Sequence, residues 1–529
     1  MNERSDPMNR REFLKLVGGA SLMAVTPCFA RTPRRVEIPE LEDEDMLKIV
    51  RMGLGKTTNP QTVIVIGAGM AGLVAAYELR RAGHRPLLIE AQDRVGGRVR
   101  TLREPFTFGL YAEAGAMRIP AAHTLTLAYV HNAPERGAPK IETAPFTMTN
   151  PNAYCFVRNK KHRWSEVTAN PGCLGFSLED RRAMGGFDER GKTPAQLWNE
   201  TVAPLRERLK TGGKAAWRAI VAEYDKYSTR SFLEQAKWSE EAIQMFGLVE
   251  NQQARLNNSV VSLLREKLTG SFQDLVELKG GMDQLPRSFL PTLQRSIYFG
   301  AKMEAIEQSP QKVTVTYRDT SGSLKQVQGD HAIIAIPFPL LRHVEGIERF
   351  SYGKQDAIQE LNYDASAKIL LQCRRRFWEE DEHIFGGGTE SDLAIRSTWY
   401  PDHSQETGRG VLLVSYTWGR DAVVWGNLSP EERLREAVQD LARLHPQVSQ
   451  EDDLIEGGTS VMWQNEPFAG GAFALFNPTQ ETLLHQFIKQ PEGRIHFAGE
   501  HTSLNHRWIQ GAIESGLRAA YEIHLTART

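Results

Sequence analysis

The clearest succession of apolar and polar segments lies in residues 62–100. Val63–Ile66 is an apolar, β-branched run, which is typical of a strand buried on both faces. Residues 70–82 follow with a helical pattern, and RPLLIE, residues 85–90, returns as a second strand that ends on an acidic residue. The pattern predicts a strand–helix–strand unit within an α/β fold.

A shorter apolar segment opens the chain. Arg10 and Arg11 precede an apolar run over residues 16–25, and small residues lie near Ala30. This arrangement predicts a twin-arginine export signal over residues 1–30 and a periplasmic or secreted protein. An ordinary first helix is the alternative, which two glycines and Pro27 disfavour. Because no later apolar run approaches the ~20 residues that span a bilayer, we expect no stable membrane span.

Residues 31–57 are charged and interrupted by proline. We predict a leader segment that packs on the surface, outside the first core. Its stretch ELEDEDMLKIVRMGL, residues 40–54, has the pattern of one short helix.

Composition adds two exclusions. The 529 residues carry a formal charge of −1, with 41% hydrophobic and 24% charged residues, which suits an enzyme of two or three lobes and gives no basic excess for nucleic acid. Cys28 falls within the signal, and Cys155, Cys173 and Cys373 lack the close spacing of a metal or redox motif, so no metal is expected. A Cys155–Cys173 disulfide formed after export is an alternative, although free thiols are favoured.

A glycine motif lies at the end of the first predicted strand. Gly67, Gly69 and Gly72 form Gly-x-Gly-x-x-Gly, which permits a tight turn and a close approach of the backbone to a pyrophosphate facing the next helix. Glu90 follows Gly72 by eighteen residues and can accept both hydroxyls of an adenosine ribose. The motif predicts dinucleotide binding, disfavours NADP, and leaves NAD and FAD open.

Two further stretches favour FAD. RVGGRVR places Arg98 on a turn after Gly96 and Gly97, beside the expected phosphates. Near the C-terminus, GRIHFAGEHTSLNHRWIQG is typical of a strand, a loop at Gly499-Glu500 and a helix from about residue 509. A helix N-terminus there can stabilise negative charge on a reduced flavin ring.

Three further stretches add to these motifs: LKGGMDQLP at 278–286, DHAIIAIPF at 330–338 and FAGEHT at 497–502. Together they resemble the flavin amine oxidase superfamily, and most closely the FAD-dependent L-amino acid oxidases, over nearly all of residues 60–525. The resemblance implies an α/β fold in which an FAD-binding Rossmann-like (GR2-type) domain joins a mixed-sheet substrate domain and a helical subdomain. The implied segments are 58–118, 270–345 and 458–529 for FAD, 119–145 and 346–457 for substrate, and 146–269 for the helices.

Arg118 stands among small and apolar residues in EAGAMRIP, residues 113–120. A lone arginine is by default on a solvated face, and a structural salt bridge to Glu113 is a further alternative. L-amino acid oxidases have an arginine in a Gly-x-Met-Arg-x-Pro setting, which GAMRIP matches. The resemblance therefore implies that Arg118 holds the substrate carboxylate, since a guanidinium can replace lost water with two parallel charge-assisted hydrogen bonds.

The resemblance assigns other residues to the same pocket. Tyr400 would give the carboxylate a second hydrogen bond, Trp508 would flank the α-carbon, and Lys368 would hold a water near the flavin. Trp463 would pack beside the flavin. Ala472, which also faces the substrate, stands where monoamine oxidases have a flavin-linked cysteine, so non-covalent FAD is expected.

The full set of expected FAD contacts follows from these motifs and from the adenine-contacting stretch at residues 301–303. It comprises Gly67, Ala68, Gly69, Met70, Ala71, Gly72, Glu90, Ala91, Gly97, Arg98, Ala116, Met117, Arg118, Met303, Trp463, Gly499, Glu500, Trp508, Ile509 and Ala512.

The implied reaction is the oxidation of an L-amino acid by oxygen to a 2-oxo acid, ammonia and hydrogen peroxide. Apolar and aromatic walls would help the substrate ammonium lose its proton by penalising its charge. The alternatives are an L-amino acid 2-monooxygenase, a flavin monoamine oxidase, a flavin-binding protein without turnover and an NAD-dependent dehydrogenase. The family suggests a dimer, and the sequence does not indicate which side chain is accepted.

Overall fold

A five-stranded parallel sheet organises the larger part of the computed structural model, which describes residues 41–401 and 408–527. The predicted export signal and the first part of the leader lie outside the described residues. The strands are hydrogen-bonded in the order Ile297–Tyr298, Arg85–Ile89, Thr62–Ile66, His331–Ile334 and Ile495–Phe497. Three distant parts of the chain therefore build one sheet.

Both faces of this sheet are covered, as the apolar run predicted. Val63 and Val65 belong to one buried cluster, and the alternating Ile64 and Ile66 belong to another. The first cluster includes residues of helix Met70–Ala82 and of the C-terminal helix Ile509–Thr526. The second lies under a three-stranded antiparallel sheet made of Lys302–Gln308, Val313–Arg318 and Leu324–Gly329.

The leader contains a helix, Asp43–Met52, at the predicted place. The expectation that this segment stays outside the first core is wrong, because Ile49 and Val50 are buried in the same cluster as helix Met70–Ala82. Arg81 fixes the end of the leader helix by donating to the carbonyl oxygens of Ile49 and Val50.

A second, seven-stranded sheet is mixed. Its order is Ile455–Met462, Ser366–Cys373, Gly410–Trp418, Ser397–Trp399, Gly388–Ser391, Tyr154–Val157 and Lys160–Arg163. One pairing is parallel, between Gly388–Ser391 and Tyr154–Val157, and the others are antiparallel. Two strands of this sheet, over residues 154–163, come from the segment that we assigned to the helical subdomain, and residue 458 falls inside a strand. The domain limits themselves stay predictions.

Helices dominate residues 194–268 and pack around their own cluster, which includes Trp198, Phe246 and Leu263. The described helices of eight or more residues are Asp43–Met52, Met70–Ala82, Thr124–His131, Pro194–Tyr224, Glu240–Val249, Val260–Leu268, Tyr352–Glu360, Gly419–Gly426, Pro430–Leu444, Gln480–Lys489 and Ile509–Thr526. Shorter helices are Trp164–Ala169, Thr229–Gln235, Gln284–Arg287, Leu290–Leu293, Phe338–Leu341, Phe377–Glu380 and Gln447–Gln450.

Three small sheets connect the larger parts. They pair Thr101–Leu102 with Ala112–Glu113, Tyr363–Asp364 with Phe473–Ala474, and Leu275–Leu278 with both Ile119–Pro120 and Thr143–Pro145. Among the described residues, no helix has the length and apolar character to cross a bilayer. Cys155, Cys173 and Cys373 are free thiols.

Candidate active site

A cavity of about 440 Å³ begins where the parallel strands Thr62–Ile66 and Arg85–Ile89 end. Ligand sites in open parallel sheets occur at this edge. From there the cavity continues to the second sheet, where Lys368 and Tyr416 line it, and to Trp508 before the C-terminal helix. One elongated space thus connects the glycine motif with the predicted substrate residues.

Most of the predicted site residues line this cavity. They are Gly67, Gly69, Met70, Ala71, Glu90, Ala91, Gly97, Arg98, Ala116, Met117, Arg118, Met303, Lys368, Trp463, Ala472, Gly499, Glu500, Trp508, Ile509 and Ala512. Ala68, Gly72 and Tyr400 do not line it. Ala68 and Gly72 belong to the glycine turn itself, whereas Tyr400 is buried in the core of the mixed-sheet part.

The glycine turn divides its roles among three positions. Gly67 has φ +100°, a conformation that favours glycine. A Cβ on Gly72 would lie 2.0 Å from the Gly67 carbonyl oxygen, so this glycine allows helix and strand to pack closely. A Cβ on Gly69 would meet no protein atom within 4 Å, and Gly69 borders the cavity. Gly69 therefore leaves room for a ligand.

Glu90 is held by two backbone amides at the part of the cavity next to the glycine turn. Its Oε2 accepts the Ala68 amide at 2.7 Å and its Oε1 accepts the Gln92 amide at 2.8 Å. Burial raises the pKa of Glu90, and these two amides counter that effect. Each carboxylate oxygen keeps lone pairs for a further donor, as binding of a ribose diol requires.

Arg98 lines the cavity, although its charge is already paired. Its Nη1 donates to Glu500 Oε1 at 2.9 Å and to the Ala472 carbonyl oxygen at 3.0 Å. Arg94, which the sequence analysis missed, also lines the cavity and is anchored by a hydrogen bond from its Nη2 to the Gly97 carbonyl oxygen at 2.8 Å. Two guanidinium groups therefore border the space in which phosphates are expected.

The residues present fit a bound dinucleotide. Helix Met70–Ala82 begins at Gly69 without a side-chain cap and without an acidic residue in its first turn. Its first amides are consequently suited to an anion. Farther along, Trp463 is fixed by a hydrogen bond from its Nε1 to the Ala114 carbonyl oxygen at 2.9 Å and forms an aromatic wall.

Arg118 borders the cavity without an acidic partner. Its guanidinium carbon lies 4.9 Å from the Trp399 ring centroid and 5.4 Å from that of Phe146, and its buried Nη1 has no hydrogen-bond partner within residues 41–401 and 408–527. The alternative salt bridge to Glu113 is wrong, because that carboxylate accepts from the Met282 amide at 2.8 Å instead. Arg118 is therefore placed to bind an anion from outside the chain.

Lys368 points inward from a strand, Ser366–Cys373, that is buried along its whole length. Its Nζ donates to the carbonyl oxygens of Gly115 at 2.8 Å and Glu113 at 3.0 Å. Burial lowers the pKa of Lys368, Glu113 opposes this shift, and Arg118 adds to it. These bonds hold the segment leading to Arg118 against the second sheet.

The expectation that Tyr400 binds the carboxylate is wrong. Its hydroxyl is buried between Thr389 Oγ1 and His445 Nε2, each at 2.8 Å. Successive residues of an extended chain point to opposite sides, and the preceding Trp399 faces Arg118. Tyr400 consequently points into the core of the mixed-sheet part.

Tyr416 takes the position that we expected for Tyr400. It lines the cavity, interacts electrostatically with Arg118, and its ring centroid lies 5.0 Å from Lys368 Nζ. The sequence analysis also missed Trp418, on the same side of that strand, and Arg507. The alternation of aromatic residues in SYTW, residues 415–418, was the available signal.

Trp508 forms a further aromatic wall of the cavity. His123 and Phe272 pack edge-on against it, with ring centroids at 4.9 Å and 5.8 Å. Its buried Nε1 has no hydrogen-bond partner in the described part of the chain. The site therefore combines aromatic walls with unpaired donors, among them those on Arg118, Trp418 and Trp508.

The fold and the family match together define a flavin-dependent oxidoreductase. Residues 70–524 match the family of flavin containing amine oxidoreductases, and the chain belongs to that family. Both the family and the fold class predicted from the sequence are confirmed.

Among its relatives, YobN of Bacillus subtilis (strain 168), a candidate L-amino-acid oxidase, is 38% identical over 92% of this chain and 99% of its own. An L-amino-acid oxidase of Pseudechis australis is 32% identical over 94% and 93%. Solved structures of a putrescine oxidase variant (TM-score 0.67, 19% identity) and of cyclohexylamine oxidase from Brevibacterium oxydans (TM-score 0.66, 18% identity) each cover 89% of this chain, with 99% of their own chains covered. These two share its fold.

Proposed function

We propose that this chain is an FAD-dependent L-amino acid oxidase, which converts an L-amino acid, oxygen and water to a 2-oxo acid, ammonia and hydrogen peroxide. The observation that supports this best is Arg118, a buried guanidinium that lines the cavity and whose Nη1 has no hydrogen-bond partner among the described residues. An amine without a carboxylate would leave its unpaired donor unsatisfied. The relatives named L-amino-acid oxidase support the same assignment.

The residues of the chain position and dehydrate the substrate. Arg118 binds the α-carboxylate by two parallel hydrogen bonds, and the hydroxyl of Tyr416 reaches the same group. The rings of Tyr416 and Trp508 exclude water and penalise a charged ammonium, so the amine loses its proton more readily. These contacts fix the α-carbon, which is the positioning contribution to the rate.

The lining residues from the glycine turn to Trp463 support FAD as the flavin that binds in this cavity. Bound there, it would supply the two-electron oxidation at the α-carbon and would itself be reoxidised by oxygen. We propose that it binds non-covalently, because Ala472 offers no nucleophile and none of the described cysteines lines the cavity. Acid precipitation of the purified protein should therefore release all of the flavin into the supernatant.

A panel of L-amino acids tests the proposed activity. Each is scored for hydrogen peroxide, ammonia and 2-oxo acid, and separately for carbon dioxide and amide. Peroxide with equimolar ammonia is the expected result. Stoichiometric carbon dioxide and amide would replace the oxidase by the 2-monooxygenase, and turnover of amines alone would replace it by a monoamine oxidase.

Substitution of Arg118 tests the observation on which the proposal depends. Arg118→Ala should keep bound FAD and lose about 100-fold or more in kcat/KM for L-amino acids, because a buried charge-assisted pair is removed. Arg435→Ala, at an exposed arginine paired with its neighbour Glu436 and absent from the cavity lining, is the matched control. If Arg118→Ala were as efficient as this control, the proposed binding of the substrate carboxylate by Arg118 would be refuted.

We also propose export through the twin-arginine route and a homodimer, on the sequence pattern and the family resemblance respectively. Light scattering of the purified holoenzyme measures its mass, and a monomer at working concentration would refute the dimer.

A further inference from the structure

Arg507 is a second guanidinium at the cavity, directly before Trp508. Its side chain is 7% exposed, and its guanidinium carbon lies 5.0 Å from the Trp418 ring centroid. Its backbone has φ +71°, a left-handed conformation that is unfavourable for a residue with a side chain. This conformation aims a long cation at the ligand space.

The need to neutralise a buried acid does not explain why a cation is buried at position 507. It pairs with Glu266, but Glu266 also accepts a hydrogen bond from Arg255 at 2.8 Å. Both partners of Glu266 are arginines with largely buried side chains. Glu266 would keep a cation if Arg507 were absent, so one positive charge is left over from these three residues.

The other charged groups near Arg507 do not remove this excess. Asp364 acts on Arg255, and Arg118 is a further cation that acts on Arg507. Glu390 forms no ion pair with Arg118 among the described residues and acts on it only through longer-range electrostatics; burial raises the pKa of Glu390 to about 8, so it is largely protonated at neutral pH. Glu500 accepts the backbone amide of Arg507 at 2.9 Å, but its other oxygen is already paired with Arg98. Four arginines, Arg98, Arg118, Arg255 and Arg507, therefore share three acidic residues, Glu266, Asp364 and Glu500, and Lys368 beside Arg118 adds no negative charge.

Hydrogen-bond donors around this position also lack acceptors. The indole Nε1 of Trp508 and the Nη1 of Arg118 are both buried and unpaired in the described part of the chain. Arg118 and Arg507 border the same cavity. A ligand that supplies acceptors at both arginines satisfies the donors and the excess positive charge together.

We propose that Arg507 binds a side-chain carboxylate, so that the preferred substrates are acidic L-amino acids, glutamate or aspartate. This inference rests on the proposed function, in which Arg118 holds the α-carboxylate. The side chain of the substrate then extends past Trp508 to Arg507. Lysine and arginine are disfavoured as substrates because their cations meet like charge in a dry site.

Binding of simple acids to the holoenzyme tests the second site without turnover. Glutarate and pentanoate have the same chain length and differ in one carboxylate, and either can be titrated through the flavin absorption spectrum. We expect glutarate to bind about 100-fold more tightly than pentanoate in the unmodified protein. Arg507→Gly, which suits the backbone conformation, should abolish that ratio and leave pentanoate binding within about threefold.

Arg507→Lys separates charge from geometry. It keeps a cation but loses the two-pronged contact, so the preference for glutarate should fall to about tenfold. If Arg507→Gly lost its flavin, the reduced preference of Arg507→Lys for glutarate over pentanoate would test the proposal instead. Equal binding of glutarate and pentanoate to the unmodified protein overturns the proposal.

Kinetics with matched substrates separate the two assignments. The ratio of kcat/KM for L-glutamate over L-glutamine, or for L-aspartate over L-asparagine, should be about 100 and should collapse in Arg507→Gly. If both members of each pair release peroxide equally well, the role of Arg507 is refuted and the oxidase stands. If glutarate binds selectively but no L-amino acid releases peroxide, the second anion site stands and the oxidase is refuted.

Discussion

At Arg118, burial of the charge and the lack of a hydrogen-bond partner for Nη1 in the described part of the chain both lower the stability of the protein without a ligand. Burial lowers the pKa of its guanidinium, and Nη1 forms no hydrogen bond within the described residues. A buried donor without a partner costs about 1–3 kcal/mol. Such a cost is typical of functional sites, where a ligand supplies the missing acceptor.

The two tyrosines near this site should respond in opposite ways to loss of their hydroxyl. Tyr416→Phe removes a cavity hydroxyl and should lower kcat/KM about 10-fold to 100-fold, with the melting temperature nearly unchanged. Tyr400→Phe removes the buried hydrogen bonds to Thr389 and His445. It should keep activity and lose about 1–3 kcal/mol of unfolding free energy.

Steady-state kinetics and urea unfolding of the two variants provide each other's control. The exchange of phenotypes, with Tyr400→Phe impaired in substrate use and Tyr416→Phe merely less stable, would restore our first assignment.

At the scale of elements, the turn between strand Thr62–Ile66 and helix Met70–Ala82 separates ligand contact from packing. Gly72→Ala should destabilise the protein by about 3 kcal/mol, because its Cβ would meet the Gly67 carbonyl oxygen at 2.0 Å. Gly69→Ala adds the same methyl group beside no protein atom within 4 Å. It should fold normally and bind FAD at least tenfold more weakly.

Flavin titration of the apoprotein and thermal melting distinguish these effects. The interpretation fails if Gly69→Ala binds FAD as tightly as the unmodified protein while Gly72→Ala melts at the normal temperature.

At the scale of the whole molecule, a buried histidine pair joins the strand–helix–strand unit of the glycine motif to the C-terminal helix. His84 Nε2 lies 3.2 Å from Nδ1 of His524 in the C-terminal helix, and His84 Nδ1 accepts the Gln61 amide at 3.1 Å. Burial lowers the pKa of His84 to about 4, and His524 adds to this shift. Because the folded-state pKa lies below the unfolded value of about 6.5, His84 stabilises the fold fully above pH ~6.5 and loses this contribution as the pH falls through about 4.

We expect this group to contribute about 3 kcal/mol to the loss of unfolding free energy between pH ~6.5 and ~4. His84→Asn should be less stable at neutral pH and should lose correspondingly less on acidification. Urea unfolding across this range measures both proteins. Parallel pH profiles would show that protonation of His84 is not responsible.

The proposed export depends on the sequence before residue 41. Residues 1–40 fused to a folded reporter should direct it across the inner membrane of a bacterium with the twin-arginine route. The double change Arg10→Lys and Arg11→Lys should abolish this transport. Arg34→Lys with Arg35→Lys, at a second arginine pair in the same segment, is the matched control and should be exported normally.

The local sequence by itself determined the nucleotide end of this protein. Gly67, Gly69, Gly72 and Glu90 lie within one strand–helix–strand unit, so their spacing fixes their geometry. Arg118 was identifiable because its immediate neighbours in GAMRIP are part of the motif. In each case short-range spacing carries the information.

Only the tertiary structure decided the substrate end. Whether Tyr400 or Tyr416 faces the cavity depends on which side of the seven-stranded sheet is covered, and the two stretches, STWY at 397–400 and SYTW at 415–418, have the same composition. The excess charge at Arg507 depends on Arg255 and Glu266, which are more than 200 residues away along the chain. Side-chain direction and charge balance arise from long-range packing, which local spacing does not encode.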